Sequence, residues 1–254
     1  MPRTGSSHLN KLLKSIPELN AKSELFHAKR QVVLSPRELA MLKQRSGMDV
    51  DDKPAFAAWR RAHPLATLEA IRDGAWRKRI VAFKVFPGHV EHGLLETELI
   101  PRDDTAFAIL TRRPIESYIS GRKAQNAGTF SKQDTTDIKP ELSSEDFGAW
   151  ARKMRRWYRW CEETLEAKGK PFARISYERH LDRESGADAV RDLIALLRPL
   201  GVDRLSEPSE VTEGQRQDRE RRYQDRVANW AAFEAEVRAD PRLAKLLDWA
   251  QRPS

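Results

Sequence analysis

The chain has 254 residues, a formal net charge of +8 and a single cysteine, Cys161. This length is sufficient for one large α/β domain, and we predict a single domain over residues 1–254. One cysteine excludes an intramolecular disulfide and is typical of a reducing compartment, while no apolar run is long enough to span a membrane. We therefore expect a soluble, cytoplasmic protein. The positive charge predicts anionic partners, which could be nucleic acid, a membrane surface or a small phosphorylated or sulfated ligand.

The first predicted element is a helix that follows the stretch PRTGSS. Apolar residues recur at helical spacing after this stretch, so the helix should begin near Ser6 or Ser7. A helix N-terminus binds anions through its unpaired N–H groups, and Gly5 allows a close approach of the backbone. Arg3 and Thr4 add further donors to those of the two serines. The alternative interpretation is an ordinary serine N-cap after a disordered start.

Helices and strands then alternate along the chain. A mixed loop, PELNAKSELFHAK, precedes a helix that starts at Ser35–Pro36, and the stretch FAAWRRAHPLATLEAIRDGAW predicts one or two helices. Three buried strands are predicted in RIVAFKVFPGH, TAFAILTRR and PFARISYE. Strands alternating with helices favour an α/β fold with a central parallel sheet and right-handed crossovers.

The second half of the chain is predicted to be mostly helical. Pro114 should open a helix, and the polar segment 126–143 has no apolar periodicity, so we interpret it as a mobile loop. A capped helix follows, and two more helices are expected in ADAVRDLIALLRPLG and around RVANWAAFEAEV. The capped helix carries an apolar stripe, formed by Trp150, Met154, Trp157 and Cys161.

Basic side chains follow two of the predicted strands. Lys84 and His89 lie at the end of one strand, and Arg112 and Arg113 end the next. Ligands of α/β sheets bind beyond these strand ends. A P-loop nucleoside triphosphatase would need a Gly-x-x-x-x-Gly-Lys-Ser/Thr loop and an acidic strand end for magnesium, and the sequence has neither. No metal ligand set is predicted, since three other histidines show no metal-ligand spacing: His27, His63 and His180.

Several of these stretches together resemble the sulfotransferases that use 3′-phosphoadenosine 5′-phosphosulfate (PAPS). PRTGSS resembles their 5′-phosphosulfate loop, and TRRPIESYIS resembles their 3′-phosphate element, with Arg112 at a strand end and Ser120 eight residues later. NAKSELFH and QRQDRERRYQDRVANW resemble the bacterial trehalose-sulfotransferase type, and ISYERHL is similar to a strand end of the family. The resemblance implies a three-layer α/β/α sulfotransferase fold like that of P-loop NTPases.

The resemblance also implies sulfuryl transfer from PAPS, without a metal, to an acceptor hydroxyl. Glu24 is the favoured general base for the acceptor proton, and His89 is the competing candidate. Lys84 would stabilise the negative charge on the leaving oxygen. Segment 205–225 would cover the nucleotide. The residues that would bind the donor are Arg3, Thr4, Gly5, Ser6, Ser7, Arg112, Ser120 and Arg216.

The expected acceptor is a carbohydrate or another small metabolite, with no nucleic acid and no membrane span. A homodimer is compatible with the sequence. The alternatives are a P-loop enzyme of phosphoryl transfer and a non-enzymatic basic module that binds polyanions. A third is a degenerate member that binds the donor without chemistry, because a phosphate loop normally follows a buried strand and only Met1 and Pro2 precede Arg3.

Overall fold

Four short strands form two parallel pairs in the computed structural model, which describes residues 3–29, 32–76, 78, 80–128, 134–211, 218, 220 and 222–248. Strand β1 (Leu19–Ala21) pairs with β2 (Ile80–Ala82), and β3 (Phe107–Thr111) pairs with β4 (Phe172–Ser176). Ala21 lies opposite Ala82, and Thr111 lies opposite Ser176. Within the described ranges, no strand hydrogen-bonds one pair to the other.

The strand predictions need three corrections, although the parallel pairing is confirmed. The described strands form two pairs instead of one central sheet. β1 lies in the segment that we interpreted as a mixed loop. The sequence did not indicate this strand, because its three residues are too few to show a period and only the pairing with β2 defines it. The strands β2 and β3 are mostly half-buried instead of buried.

The helices follow the predicted order, and FAAWRRAHPLATLEAIRDGAW contributes to two of them. A π-helical turn (Leu95–Leu99) continues α5, another (Tyr177–Leu181) follows β4, and a 3₁₀ turn (Arg198–Leu200) follows α8. The described helices are α1 (Ser6–Ser15), α2 (Pro36–Ser46), α3 (Lys53–Ala62), α4 (Pro64–Gly74), α5 (His92–Leu94), α6 (Pro114–Asn126), α7 (Ser144–Ala167), α8 (Gly186–Leu197), α9 (Tyr223–Arg226), α10 (Trp230–Ala239) and α11 (Pro241–Leu247).

Caps explain where several helices begin. At α2, Ser35 and Glu38 form a reciprocal capping box, and Pro36 occupies the first turn. The Ser143 side chain accepts a hydrogen bond from the backbone of Asp146 and caps α7. These contacts satisfy N–H groups that have no partner inside the helix.

The stripe on α7 is part of the core, as its spacing predicts. Met154 is buried, and Trp157 and Cys161 pack against the same apolar cluster as Leu165. Burial raises the pKa of the Cys161 thiol to about 12, so this cysteine is protonated at neutral pH.

Three apolar clusters hold the elements together. The first core includes Leu25, Phe26, Leu42, Ile71 and Ile109. The second core joins α1 to α8 and includes Leu12, Ile16, Ile175, Leu193 and Ile194. The third core joins α6, α7 and α10 and includes Ile115, Ile119, Phe147, Phe233 and Val237.

The polar segment 126–143 is tethered where the structure describes it. Residues 134–143 contain no helix or strand, and residues 129–133 lie outside the described ranges. The Lys123 ammonium donates to the carbonyl of Thr135 over 3.1 Å, and the Ala228 N–H donates to the carbonyl of Pro140 over 3.1 Å. None of the described helices combines the length and the apolar character that crossing a membrane requires.

Candidate active site

The β1–β2 pair brings Glu24 and Lys84 together just beyond its carboxyl end. The ladder continues past the strands, because the Lys22 N–H donates to the Ala82 carbonyl and the Lys84 N–H to the Ser23 carbonyl. The Lys84 Nζ consequently lies 3.4 Å from Oε1 of Glu24 and donates to it, and both side chains are largely buried. Two residues separated by 60 positions thus form an ion pair at one strand edge.

The loop before α1 meets this pair. Lys84 Nζ donates to Oγ of Ser6 over 3.3 Å, and Ser6 is the first residue of the helix. Gly5 is the N-cap, with φ of 85° and no side-chain cap, which corrects the alternative of a serine N-cap. A glycine suits this left-handed backbone, whereas Arg3 adopts φ of 71° at a greater cost.

The β3–β4 pair builds a second group of side chains at its own carboxyl end. Because Thr111 lies opposite Ser176, the residues that follow, Arg112 and Tyr177, are neighbours. The guanidinium carbon of Arg112 lies 4.4 Å from the centre of the Tyr177 ring, which is a cation–π contact. The loop also lies against this ring, since a Cβ on Gly5 would lie only 2.1 Å from Cδ2 of Tyr177.

Arg3 connects the loop to α6. Its Nε donates to Oγ of Ser120 over 3.0 Å, and Nη1 of Arg112 donates to the Arg3 carbonyl over 3.2 Å. Burial, and secondly the charge of Arg112, lowers the pKa of the Arg3 guanidinium. Two guanidinium groups are therefore held near each other, an arrangement that an anion would stabilise.

A network of ion pairs lies behind Arg112. Glu116 accepts from Arg112 over 3.4 Å and from Arg226 over 2.9 Å. Arg226 also pairs with Asp218 at 2.9 Å, and Asp218 pairs with the buried ammonium of Lys123 at 2.9 Å. Asp218, in segment 205–225, and the adjacent residue Arg226 thus attach this end of the segment to α6.

His89 lies near Glu24 in a buried position. Its side chain has no hydrogen-bond partner at Nδ1, and its carbonyl accepts from the guanidinium of Arg61. Burial lowers the pKa of His89 to about 4, against a smaller raising effect of Glu24. The imidazole is therefore neutral at neutral pH, and its weak basicity makes it a poorer proton acceptor than an ordinary histidine.

The structure gathers most of the predicted site residues around loop 3–7. One side of the loop contacts Lys84 and through it Glu24, and the other side contacts Ser120 and Arg112. Thr4 is buried and Ser7 is exposed. Arg216 lies outside the described residues.

Sequence reasoning missed three side chains of this region. Tyr177 directly follows a predicted strand, and this position at the carboxyl end of the strand could have indicated a site residue. Arg226 lies in the late segment QRQDRERRYQDRVANW, but no local pattern separates it from the other arginines. Glu116 showed no signal, because its role depends on the packing of α9 against α6.

A model of the sulfotransferase family matches residues 1–198, which is more than half of the chain. The chain belongs to the sulfotransferase family. This membership makes it a transferase and indicates sulfuryl transfer, in preference to the phosphoryl-transfer alternative. No curated protein and no solved structure matches this sulfotransferase.

The contact between Gly5 and Tyr177 predicts the effect of a single methyl group in this sulfotransferase. Gly5→Ala should displace the loop and weaken nucleotide binding by at least about tenfold, because both the left-handed backbone and the 2.1 Å approach oppose a Cβ. Binding is measured by calorimetry with adenosine 3′,5′-bisphosphate.

Gly47→Ala is the matched control for this substitution. Gly47 has φ of 67°, but nothing lies within 4 Å of a Cβ at that position. It should lower the melting temperature through backbone strain and leave nucleotide binding unchanged. Equal loss of binding in both variants would contradict a specific role of the loop.

Proposed function

We propose that this enzyme transfers a sulfuryl group from PAPS to a hydroxyl group of a small acceptor. The observation that carries the proposal is the double contact of loop 3–7. Its Ser6 side meets the Lys84–Glu24 pair, and its Arg3 side meets Ser120 and Arg112. A donor with an anionic group at each end needs two cationic contacts of this kind.

The residues at the Arg112 end fit a phosphate group. Arg112 Nε is buried and lacks a hydrogen-bond partner among the described residues, although other atoms of the guanidinium are bonded. A phosphate oxygen would satisfy this donor and reduce the repulsion between Arg112 and Arg3. The resemblance implies that Arg3 contacts the 5′-phosphate. Because the Arg3 side chain donates a hydrogen bond to Ser120, we assign Arg3 to the 3′-phosphate end in this conformation.

The residues at the other end fit the 5′-phosphosulfate. The first turn of α1 presents backbone N–H groups, and Ser6 and Lys84 add a hydroxyl and an ammonium. When bound, PAPS supplies the activated sulfate. Lys84 is suited to stabilise negative charge on the phosphate oxygen from which the sulfur departs.

We assign the base to Glu24. In the reaction, the acceptor oxygen bonds to sulfur, the bond between sulfur and the phosphate oxygen breaks, and the acceptor proton goes to the Glu24 carboxylate. The 3.4 Å contact with Lys84 supports this assignment, since one ion pair then holds both the proton acceptor and the cation for the leaving oxygen. The lowered pKa of His89 argues against the histidine in this role.

We also propose a three-layer α/β/α arrangement of the trehalose-sulfotransferase type. Neighbouring strand residues contact different cores: Ile80 and Leu110 contact the second core, and Val81 and Ile109 belong to the first. This alternation supports a plane of strands between two helical layers. The acceptor that this subtype favours is a carbohydrate.

The proposed activity is tested with donor labelled in its sulfate group, incubated with a panel of sugars and other hydroxylated metabolites. The expected result is labelled, sulfated product formed without added metal. A chain that binds the donor and transfers nothing to any acceptor would indicate the degenerate alternative. Transfer of the γ-phosphate of magnesium-bound ATP would contradict the proposal.

A further inference from the structure

Three metal-ligating side chains converge at the mouth of the Lys84–Glu24 pair. Among the residues that the structure describes, Glu24, His27 and His89 form the one group of this kind, and their ligand atoms all lie within 4.8 Å of one another. The two imidazole rings are 5.3 Å apart and inclined at 70°. Sequence spacing gave no sign of this group, because His27 and His89 come from different segments.

His89 is held in place for a ligand. His89 is 7% exposed, and its Nδ1 is buried without a hydrogen-bond partner among the described residues. Arg61 fixes the local backbone by donating to the carbonyls of His89 and Gly88, each over 3.0 Å. A buried ring nitrogen without a partner is costly, and a metal ion would satisfy it.

His27 is the more accessible member of the group. It is half-buried, and its Nδ1 accepts a hydrogen bond from the exposed N–H of Lys29 over 3.0 Å. The lone pair that accepts a hydrogen bond can instead bind a metal ion. Because the Lys29 N–H is exposed, water can then accept its hydrogen bond in place of His27. His27 can therefore exchange this hydrogen bond for a metal ligand at little cost.

We propose that Glu24, His27 and His89 bind a divalent ion of the zinc class. Two imidazole nitrogens and one carboxylate are a donor set that Zn²⁺ uses, with a fourth position left for water or another ligand. Mg²⁺ prefers oxygen ligands and should bind far more weakly. The ion is an inhibitor, because it occupies the carboxylate that would accept the acceptor proton.

The inhibitory part of this inference rests on the proposed function. Lys84 Nζ lies 3.4 Å from the same carboxylate, so a bound ion competes with the ammonium for Glu24. Binding of the ion should therefore reduce sulfuryl transfer, while nucleotide binding at Arg112 persists. Metal binding itself does not depend on the reaction and can be measured alone.

The test is calorimetric titration of the full chain with Zn²⁺ and, separately, with Mg²⁺. We compare the unsubstituted chain with His27→Gln, and use His63→Gln as the matched control, because His63 is an exposed histidine outside the group. The expected result is one zinc ion per chain, bound at least about tenfold more weakly by His27→Gln, since even an outer-shell partner costs that much. His63→Gln should bind zinc like the unsubstituted chain.

Three results would overturn the inference. They are the absence of zinc binding, equal zinc affinity in His27→Gln, and magnesium binding as tight as that of zinc. The rate of sulfuryl transfer is then measured with and without zinc in His27→Gln and in His63→Gln. If zinc binds as expected but stimulates transfer or leaves it unchanged, the site exists and its inhibitory role is wrong.

Discussion

Arg112→Ala is expected to weaken binding of adenosine 3′,5′-bisphosphate by roughly 10- to 100-fold, the value of one hydrogen bond to a charged group. Binding of adenosine 5′-monophosphate, which lacks the 3′-phosphate, should stay nearly unchanged. The reason is the unpartnered Nε of Arg112 beside Arg3 and Ser120, where a phosphate would complete the hydrogen bonding. Calorimetric titration of both nucleotides measures the difference.

The neighbouring Arg113 provides the control for this prediction. Arg113→Ala removes the same charge at the same strand end, but its side chain is exposed and its backbone N–H can still donate to Glu178. It should leave both affinities almost unaltered. If Arg112→Ala reduces the affinity of both nucleotides equally, Arg112 does not read the 3′-phosphate. Arg112→Lys should recover only part of the loss, because an ammonium cannot bind phosphate through two parallel donors.

Glu24→Gln is expected to lower the rate of sulfuryl transfer by roughly 10²- to 10⁴-fold, the usual contribution of a general base. Donor affinity should be retained. Glutamine has the same shape as glutamate, and its carbonyl can still accept the hydrogen bond from Lys84 Nζ that positions the ammonium near Ser6. Single-turnover transfer and bisphosphate binding are measured on the same preparation.

The competing base is tested in parallel. His89→Asn should reduce transfer less than Glu24→Gln does, because the neutral, buried imidazole is a weak base. Glu141→Gln, an exposed residue, controls for the change in charge. Intact transfer in Glu24→Gln, together with its loss in His89→Asn, would assign the base to the histidine.

The helices were the most predictable part of the fold. Proline and serine signals marked the starts of α2, α6 and α7, and apolar spacing located α1. These signals are local, since a cap or a helical period involves residues within about one turn. The predicted start of α1 near Ser6 is confirmed, and the N-cap is Gly5 instead of the serine of the alternative interpretation.

The strands were less predictable because they depend on partners. The continuous apolar stretch around β2 predicts a long buried strand, yet the strand comprises only Ile80–Ala82, and a backbone hydrogen bond from Lys84 to Ser23 continues the ladder. β1 has a polar residue, Asn20, between two apolar ones, and only its register with β2 defines it. The same register explains why Glu24 and Lys84 meet, which no spacing within either segment could indicate.

The sequence indicated candidate site residues but not their arrangement. The resemblance assigned Arg112 and Ser120 to the 3′-phosphate and placed Arg3 in the 5′-phosphosulfate loop, whereas in the structure Arg3 contacts both Ser120 and Arg112. The sequence did not predict that Tyr177 would separate Gly5 from Arg112, or that His27 would lie beside His89. Such contacts arise from the packing of segments that are distant in the chain.

The proposed donor site for PAPS is tested by calorimetric binding of adenosine 3′,5′-bisphosphate at moderate salt without metal, compared with ADP plus magnesium. We expect tight binding of the bisphosphate and little binding of ADP, because the proposed role of Arg112 is to bind a 3′-phosphate that ADP lacks. Equal or tighter binding of magnesium-bound ADP, or no binding of either nucleotide, would contradict the proposed donor site.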